Sequence, residues 1–227
     1  MKLFFLLLTL STPAYASTFT VMLNPAGDAQ STGRTIDCTF ERGITLQCAE
    51  YLKKKIESRY SHVRIVLTRI PGETLQPLQN ASFANQLDID LYVSIHFYPA
   101  QQDERPAADL YYFSLNPIAE SWKVQESALS FIPSHKAHML NFSTTKTMAR
   151  SVHATLSLLH KQNCDVHEPL GIPFLPLSGI IAPALGIEMS LEKSSDWQSW
   201  VSFLYDAIEA AFSLVEQKKK QKATHNE

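Results

Sequence analysis

The run Asp90-Leu91-Tyr92-Val93-Ser94-Ile95-His96 decides how this chain folds. It is almost continuously apolar and too short for a buried helix, so it reads as a strand covered on both faces. Working outward, Phe19-Thr20-Val21-Met22-Leu23, the β-branched segment His62 to Thr68, and Ala184 to Met189 have the same character, and Leu110 to Phe113 is a shorter strand. Between them lie segments with helical spacing. Ile44, Cys48, Leu52 and Ile56 form one stripe in a helix expected from about 40 to 58, with Thr39 as its cap and Glu41 in its first turn. A second helix is expected near 77–87, and a third carries Met148, Val152, Leu156 and Leu159; a fourth closes the pattern over 195–216. Asn24-Pro25-Ala26-Gly27-Asp28 ends the first strand in a turn. Strands alternating with helices predict a three-layer α/β domain, a mostly parallel twisted sheet with helices on both faces. In such sheets ligands bind beyond the carboxyl ends of the strands.

Residues 1–16 read as an export address. Lys2 is followed by the apolar run Leu3 to Leu10 and by Ala14-Tyr15-Ala16, a small-x-small cleavage site. The run is less than half the ~20 apolar residues that a membrane helix needs. The mature chain is expected to begin at Ser17, in the periplasm or outside the cell, with one domain over 17–217 and a polar basic tail over 218–227. Removing Lys2 takes the formal charge from −2 to −3, close to neutral for this length. No basic stripe marks a nucleic-acid partner, and no second apolar run marks a membrane span.

Cys38, Cys48 and Cys164 are an odd set for an oxidising compartment. Cys48 lies on the helical stripe and is expected as a buried thiol, whereas Cys38 and Cys164 fall in loops and could be bridged. Cysteine-held zinc is not expected, because no CxxC spacing exists.

Two polar residues stand where a buried strand would place aliphatic ones. His96 closes its apolar run, and Glu188 lies between Ile187 and Met189. A carboxylate in such a strand is costly unless paired, protonated or facing a metal. Taken singly, His96 also reads as a core imidazole and Glu188 as a solvent-facing residue. Together, near strand carboxyl ends, they suggest a site. Glu41 alone reads as a carboxylate complementing a helix dipole.

The order of motifs resembles the zinc-dependent N-acetylmuramoyl-L-alanine amidases. The resemblance rests on Val21-Met22-Leu23-Asn24-Pro25, Phe40-Glu41-Arg42-Gly43, Val66-Leu67-Thr68-Arg69, Leu91 to His96, Ala108-Asp109-Leu110-Tyr111-Tyr112 and Pro183 to Glu188. It covers nearly the whole mature chain and is weakest between about 114 and 146. It implies that Glu41 and His96 are zinc ligands and that Glu188 is the catalytic carboxylate. The implied reaction is hydrolysis of the amide between muramic acid and the first L-alanine of the peptidoglycan stem peptide. Zinc held by two histidines and a glutamate keeps one position open for water.

The departure from the family pattern is at its first histidine, which aligns with Gly27. Asp28 is the candidate substitute ligand and equally a plain turn former. A histidine placed at Gly27 is expected to rebuild the family's ligand set. Asn80 stands near the position of an arginine common in the family. His135, His138, His153, His160 and His167 are poor replacements, with His153 and His160 expected at the surface. A catalytically inactive homologue that binds peptidoglycan or a cell-wall enzyme is the alternative function. The long segment Pro117 to Phe142, with Trp122, Phe131 and Met139, is a candidate lid of the kind an activating partner protein removes in some relatives.

Overall fold

The structure, a computed structural model, describes residues 18–75, 78–101, 104–116 and 133–225. The proposed export address, and Trp122 and Phe131 of the candidate lid, lie outside the described residues. Strand β1 (Phe19–Pro25) leads through a loop and a small hairpin, β2 (Thr35–Ile36) and β3 (Thr39–Phe40), into helix α1 (Glu41–Arg59). Then follow β4 (Val63–Leu67), α2 (Gln79–Gln86), β5 (Leu91–Pro99) and β6 (Ala107–Phe113). After a 3-10 helix over Ser134–Asn141 come α3 (Phe142–Leu159), β7 (Asp165–Val166), β8 (Leu170–Ile172), β9 (Ala184–Leu191) and α4 (Trp200–His225).

The main sheet has the order β4-β1-β5-β9-β6-β7, with β8 also pairing β6. Among its pairings only β6 with β9 is antiparallel. The Leu91–Pro99 strand is therefore central, as its continuous apolar run demands, and carries β1 and β9 on its two edges.

Alternation along the strands sends Val21, Leu23, Val93, Ile95, Leu185 and Ile187 into a core shared with α1, α3 and α4. The other face buries Met22, Tyr92 and Ala184 against Ala81 and Ala84 of α2 and Leu177 and Ile180. Helices thus cover both faces, but unequally. Among the described residues, the α2 layer is short and no long helix covers the carboxyl ends of β5 and β9 on that side.

Several local expectations are corrected. Thr39 does not cap α1: it is a strand residue of the hairpin, Phe40 takes the cap position, and no side chain bonds there. The free amides of the first turn instead find loop carbonyls, Glu41 N donating to Arg34 O at 2.8 Å and Arg42 N to Thr32 O at 3.1 Å. The stripe Met148, Val152 and Leu156 is fully buried, but Leu159 at the end of α3 is exposed. Helix α4 continues to His225, through the lysines that the sequence placed in a tail. Cys48 is buried, and burial pushes its thiol up to about 12. Cys38 and Cys164 are both free thiols, one exposed and one buried, so no bridge joins them.

Candidate active site

The polar face of the sheet is assembled by register. His96 of β5 pairs with Glu188 of β9, so both side chains leave the sheet on one face. Two residues along on either side, the same face carries Ser94 and Tyr98 from β5 and Gly186 and Ser190 from β9. Strand β6, running the other way, sets Asp109 opposite Glu188.

Glu41 arrives from another direction. The hairpin pairs Thr35 with Phe40, so its next rung brings Arg34 opposite Glu41. The rung is closed in both directions, because Arg34 N donates to Glu41 Oε2 at 3.0 Å. Gly33, at φ +75°, makes the approach possible: a Cβ there would lie 2.7 Å from Glu41 Oε2. The other carboxylate oxygen accepts from Phe97 N at 3.0 Å and lies 3.5 Å from His96 Nδ1. Glu41 and His96 are therefore neighbours, as the sequence reading required. Burial pushes the Glu41 carboxyl up, but His96 and the two amides outweigh it and hold it below the usual range.

His96 is held from below by a chain of polar groups. Its Nε2 lies 2.7 Å from Ser94 Oγ, which accepts from Asn24 Nδ2 at 2.9 Å. The oxygen of Asn24 accepts from Thr68 Oγ1 and from Asn80 Nδ2, both at 2.9 Å. The Ser94 hydroxyl can donate to Nε2 or accept from it, while Nδ1 faces Glu41. Phe174 closes over the ring, its centroid 5.1 Å from His96 and 4.9 Å from Tyr111. Gly186 accommodates it, since a Cβ there would fall 2.6 Å from Phe174.

Glu188 is almost wholly buried and is held by two groups that the sequence reading missed. Tyr111 Oη donates to Oε2 at 3.1 Å, and burial together with the Glu188 charge raises the phenol's pKa, keeping it a donor. Arg34 Nη1 lies 2.5 Å from Oε1, an ion pair at angles outside those of a hydrogen bond. The same nitrogen donates to Phe97 O at 3.1 Å and stands 3.9 Å from Glu41 Oε1. Nothing in the sequence marks Arg34, a lone arginine in a polar loop; only the hairpin brings it in. Tyr111 was legible as a residue of a matching motif, but not as a partner of Glu188.

Asp28 faces its own turn. Its Oδ1 accepts from Gln30 N at 2.8 Å and Ser31 N at 2.6 Å, and Oδ2 from Leu75 N at 3.1 Å. The Ser31 amide foremost, with those of Leu75 and Gln30 and the nearby Arg69, holds its carboxyl below the usual range despite burial. This is the geometry of a turn former. Gly27 has φ +73°, and a Cβ on it would lie 2.8 Å from Arg42 Cβ and 3.0 Å from Ser31 O. A histidine at Gly27 therefore requires Arg42 or the turn to shift.

The other histidines lie elsewhere. His138 is buried against Phe113 and Phe142, with centroids 4.7 and 6.3 Å away. His160, expected at the surface, is buried, its Nε2 2.7 Å from Asp206 Oδ2. His153 faces Glu168 at 3.7 Å, and exposed His167 pairs with Asp109 at 2.8 Å.

A profile of the N-acetylmuramoyl-L-alanine amidases matches residues 21–202, which spans every strand of the sheet face just described. This chain belongs to the N-acetylmuramoyl-L-alanine amidase family. It is 28% identical over 76 residues to the N-acetylmuramoyl-L-alanine amidase CwlM of Bacillus licheniformis, a match covering 34% of this chain and 30% of CwlM. The chain thus spans under a third of the length of that curated relative. Its fold is similar to that of the catalytic domain of the amidase CwlV from Bacillus (Paenibacillus) polymyxa var. colistinus, with TM-score 0.59 at 16% identity over 87% of this chain and 99% of the other. It is also similar to the CwlD amidase of Clostridioides difficile, solved in complex with the GerS lipoprotein, with TM-score 0.55 at 16% identity over 91% and 100%.

The zinc that the resemblance implies needs three protein donors, and this amidase-family site supplies a poor set. Glu41 and His96 are adjacent, but both oxygens of Glu41 accept backbone amides, and the family's first histidine position is a glycine with no space for a side chain. Among the described residues, no group of three His, Cys, Asp or Glu is placed to hold a metal ion. The residues present do not fit the group.

Proposed function

We propose that this chain acts on peptidoglycan as an amidase-family hydrolase, after export to the periplasm or cell exterior. Its target is the amide between the lactyl group of muramic acid and the first L-alanine of the stem peptide. The observation that supports this best is the convergence of His96, Glu188 and Glu41 from three elements on one strand-end face. Glu188 is the group suited to move the proton, taking it from the attacking water and returning it to the leaving amine, while Tyr111 fixes the carboxylate's orientation. No step is routed through zinc, for which a third donor is wanting. The CwlD amidase was solved in complex with the GerS lipoprotein, and a protein partner is proposed for this chain too, as the activator that the family resemblance implies.

A second reading is favoured by one contact. Arg34 stands 2.5 Å from Glu188 Oε1 and occupies the carboxylate's approach, which suits a homologue that binds peptidoglycan without cutting it. The test uses protein recovered from the cell envelope, whose first residue is expected to be Ser17. It is incubated with purified sacculi, with and without added zinc, and released stem peptides are identified by mass. Release by the wild type, lost in Glu188→Gln while sacculus binding persists, is the expected result. Binding by both proteins with release by neither selects the second reading. A chain that neither binds nor releases overturns both.

A further inference from the structure

We propose that Arg34 takes the place of the family's metal ion, its guanidinium serving as the resident cation of the Glu41–His96–Glu188 face. The inference deepens the reading of the same cleft given above and shares its location. Two buried carboxylates on one face need a counter-charge, because desolvated anions that close together repel each other. Arg34 supplies it: Nη1 is 2.5 Å from Glu188 Oε1 and 3.9 Å from Glu41 Oε1, and Phe97 O at 3.1 Å fixes the approach.

The position is built, not incidental. The β2–β3 hairpin forms a rung between Arg34 and Glu41 with bonds in both directions, and Gly33 at φ +75° leaves Glu41 the space to close it. The departures from the ligand set agree. Gly27 has its side-chain volume crowded by Arg42, and Asp28 accepts three amides, so neither position offers a free donor to the anionic face. The Arg34 side chain is 46% exposed, so it can be replaced without opening the core. A divalent ion on Glu41 would face the fixed charge of Arg34, whose Nη1 stands 3.9 Å from Glu41 Oε1, and like charges so close repel. Arg34 and zinc are therefore alternatives at this face.

The test uses the mature chain and zinc chloride alone as probe. Wild-type protein is expected to show no rise in Tm with zinc and no stoichiometric metal after desalting. Arg34→Met should lower Tm by roughly 2–4 °C, the response of a domain of this size to losing one ion pair. Zinc should leave the Tm of Arg34→Met unchanged as well, with bound metal measured by elemental analysis, because among the described residues no group of three donors is placed to hold it. Arg34→Lys should keep the wild-type pattern, because charge rather than shape is at issue. The double variant Arg34→Met/Glu188→Gln guards against a folding artefact: removing cation and anion together should recover most of the Tm lost in Arg34→Met. Stoichiometric zinc in the wild type would overturn the proposal. So would strictly additive Tm changes in the double variant. Sacculus binding is read on the same proteins, so failure of the peptidoglycan reading shows there, independently of the zinc and Tm pattern.

Discussion

Gly27 is the residue at which this chain leaves its family, and its backbone explains why a simple reversion will not undo the departure. At φ +73° an L side chain pays ~1–2 kcal/mol, and the Cβ would meet Arg42 Cβ at 2.8 Å. Arg42 cannot retreat freely, because its guanidinium donates to Asp28 O at 3.1 Å and Ala29 O at 2.9 Å. Gly27→His is expected to cost about 2–3 kcal/mol in urea unfolding and to gain no zinc. A Gly27→His protein as stable as wild type, or one that takes up zinc, would show that the turn re-forms around the new side chain. The same scale explains what the sequence could say of Asp28. Its residue type allowed both turn former and ligand; the three amides aimed at its carboxylate show how it holds the turn.

Among the elements, α3 and α4 were legible from their apolar stripes, yet the group that joins them was misread. His160 follows the last residue of α3, and spacing alone placed it at the surface. In the structure α4 packs across it, Asp206 lying 2.7 Å from Nε2 and Phe203 stacking edge-on at 5.2 Å. A buried imidazole bonded to a carboxylate leaves that carboxylate stranded when removed. His160→Ala is therefore expected to cost about 1–3 kcal/mol by urea unfolding. His160→Gln, which keeps a donor, should recover part of it. Equal stability of all three proteins would show that α4 does not depend on this link. The α1 start carries a similar lesson: Thr39 is a good capping type, but the hairpin takes it into a strand and loop carbonyls satisfy the amides instead.

For the whole molecule, the depressed carboxyl groups set a direction of acid sensitivity. Glu41 and Asp28 have folded pKa values below their ordinary ones. Such groups contribute stability that is fully present above the unfolded pKa, about 4, and is lost as pH falls through the folded value. The urea midpoint is expected to hold between pH 7 and about 5 and then to fall on acidification. Glu41→Gln should be less stable than wild type at pH 7, and the gap should shrink as the pH drops below about 4. A gap that widens in acid would mean that the carboxylate is not stabilised in the fold.

The sequence by itself determined the layer architecture, because continuous apolar strands and four-residue stripes admit few packings, and it picked out His96 and Glu188 because polar groups are anomalous in such strands. It also bounded Glu41 to a helix start. What only the tertiary structure decided is the content of the site between them. Sheet order puts β5 beside β9 in a register that pairs His96 with Glu188, and hairpin closure carries Arg34 onto Glu188. Neither leaves a periodic trace, since a loop arginine has no apolar pattern and strand order depends on long-range pairing. The positive φ of Gly27 and the crowding around it are likewise properties of assembled backbone. Residue types could show that a ligand was missing; only packed neighbours could show that its space was already taken.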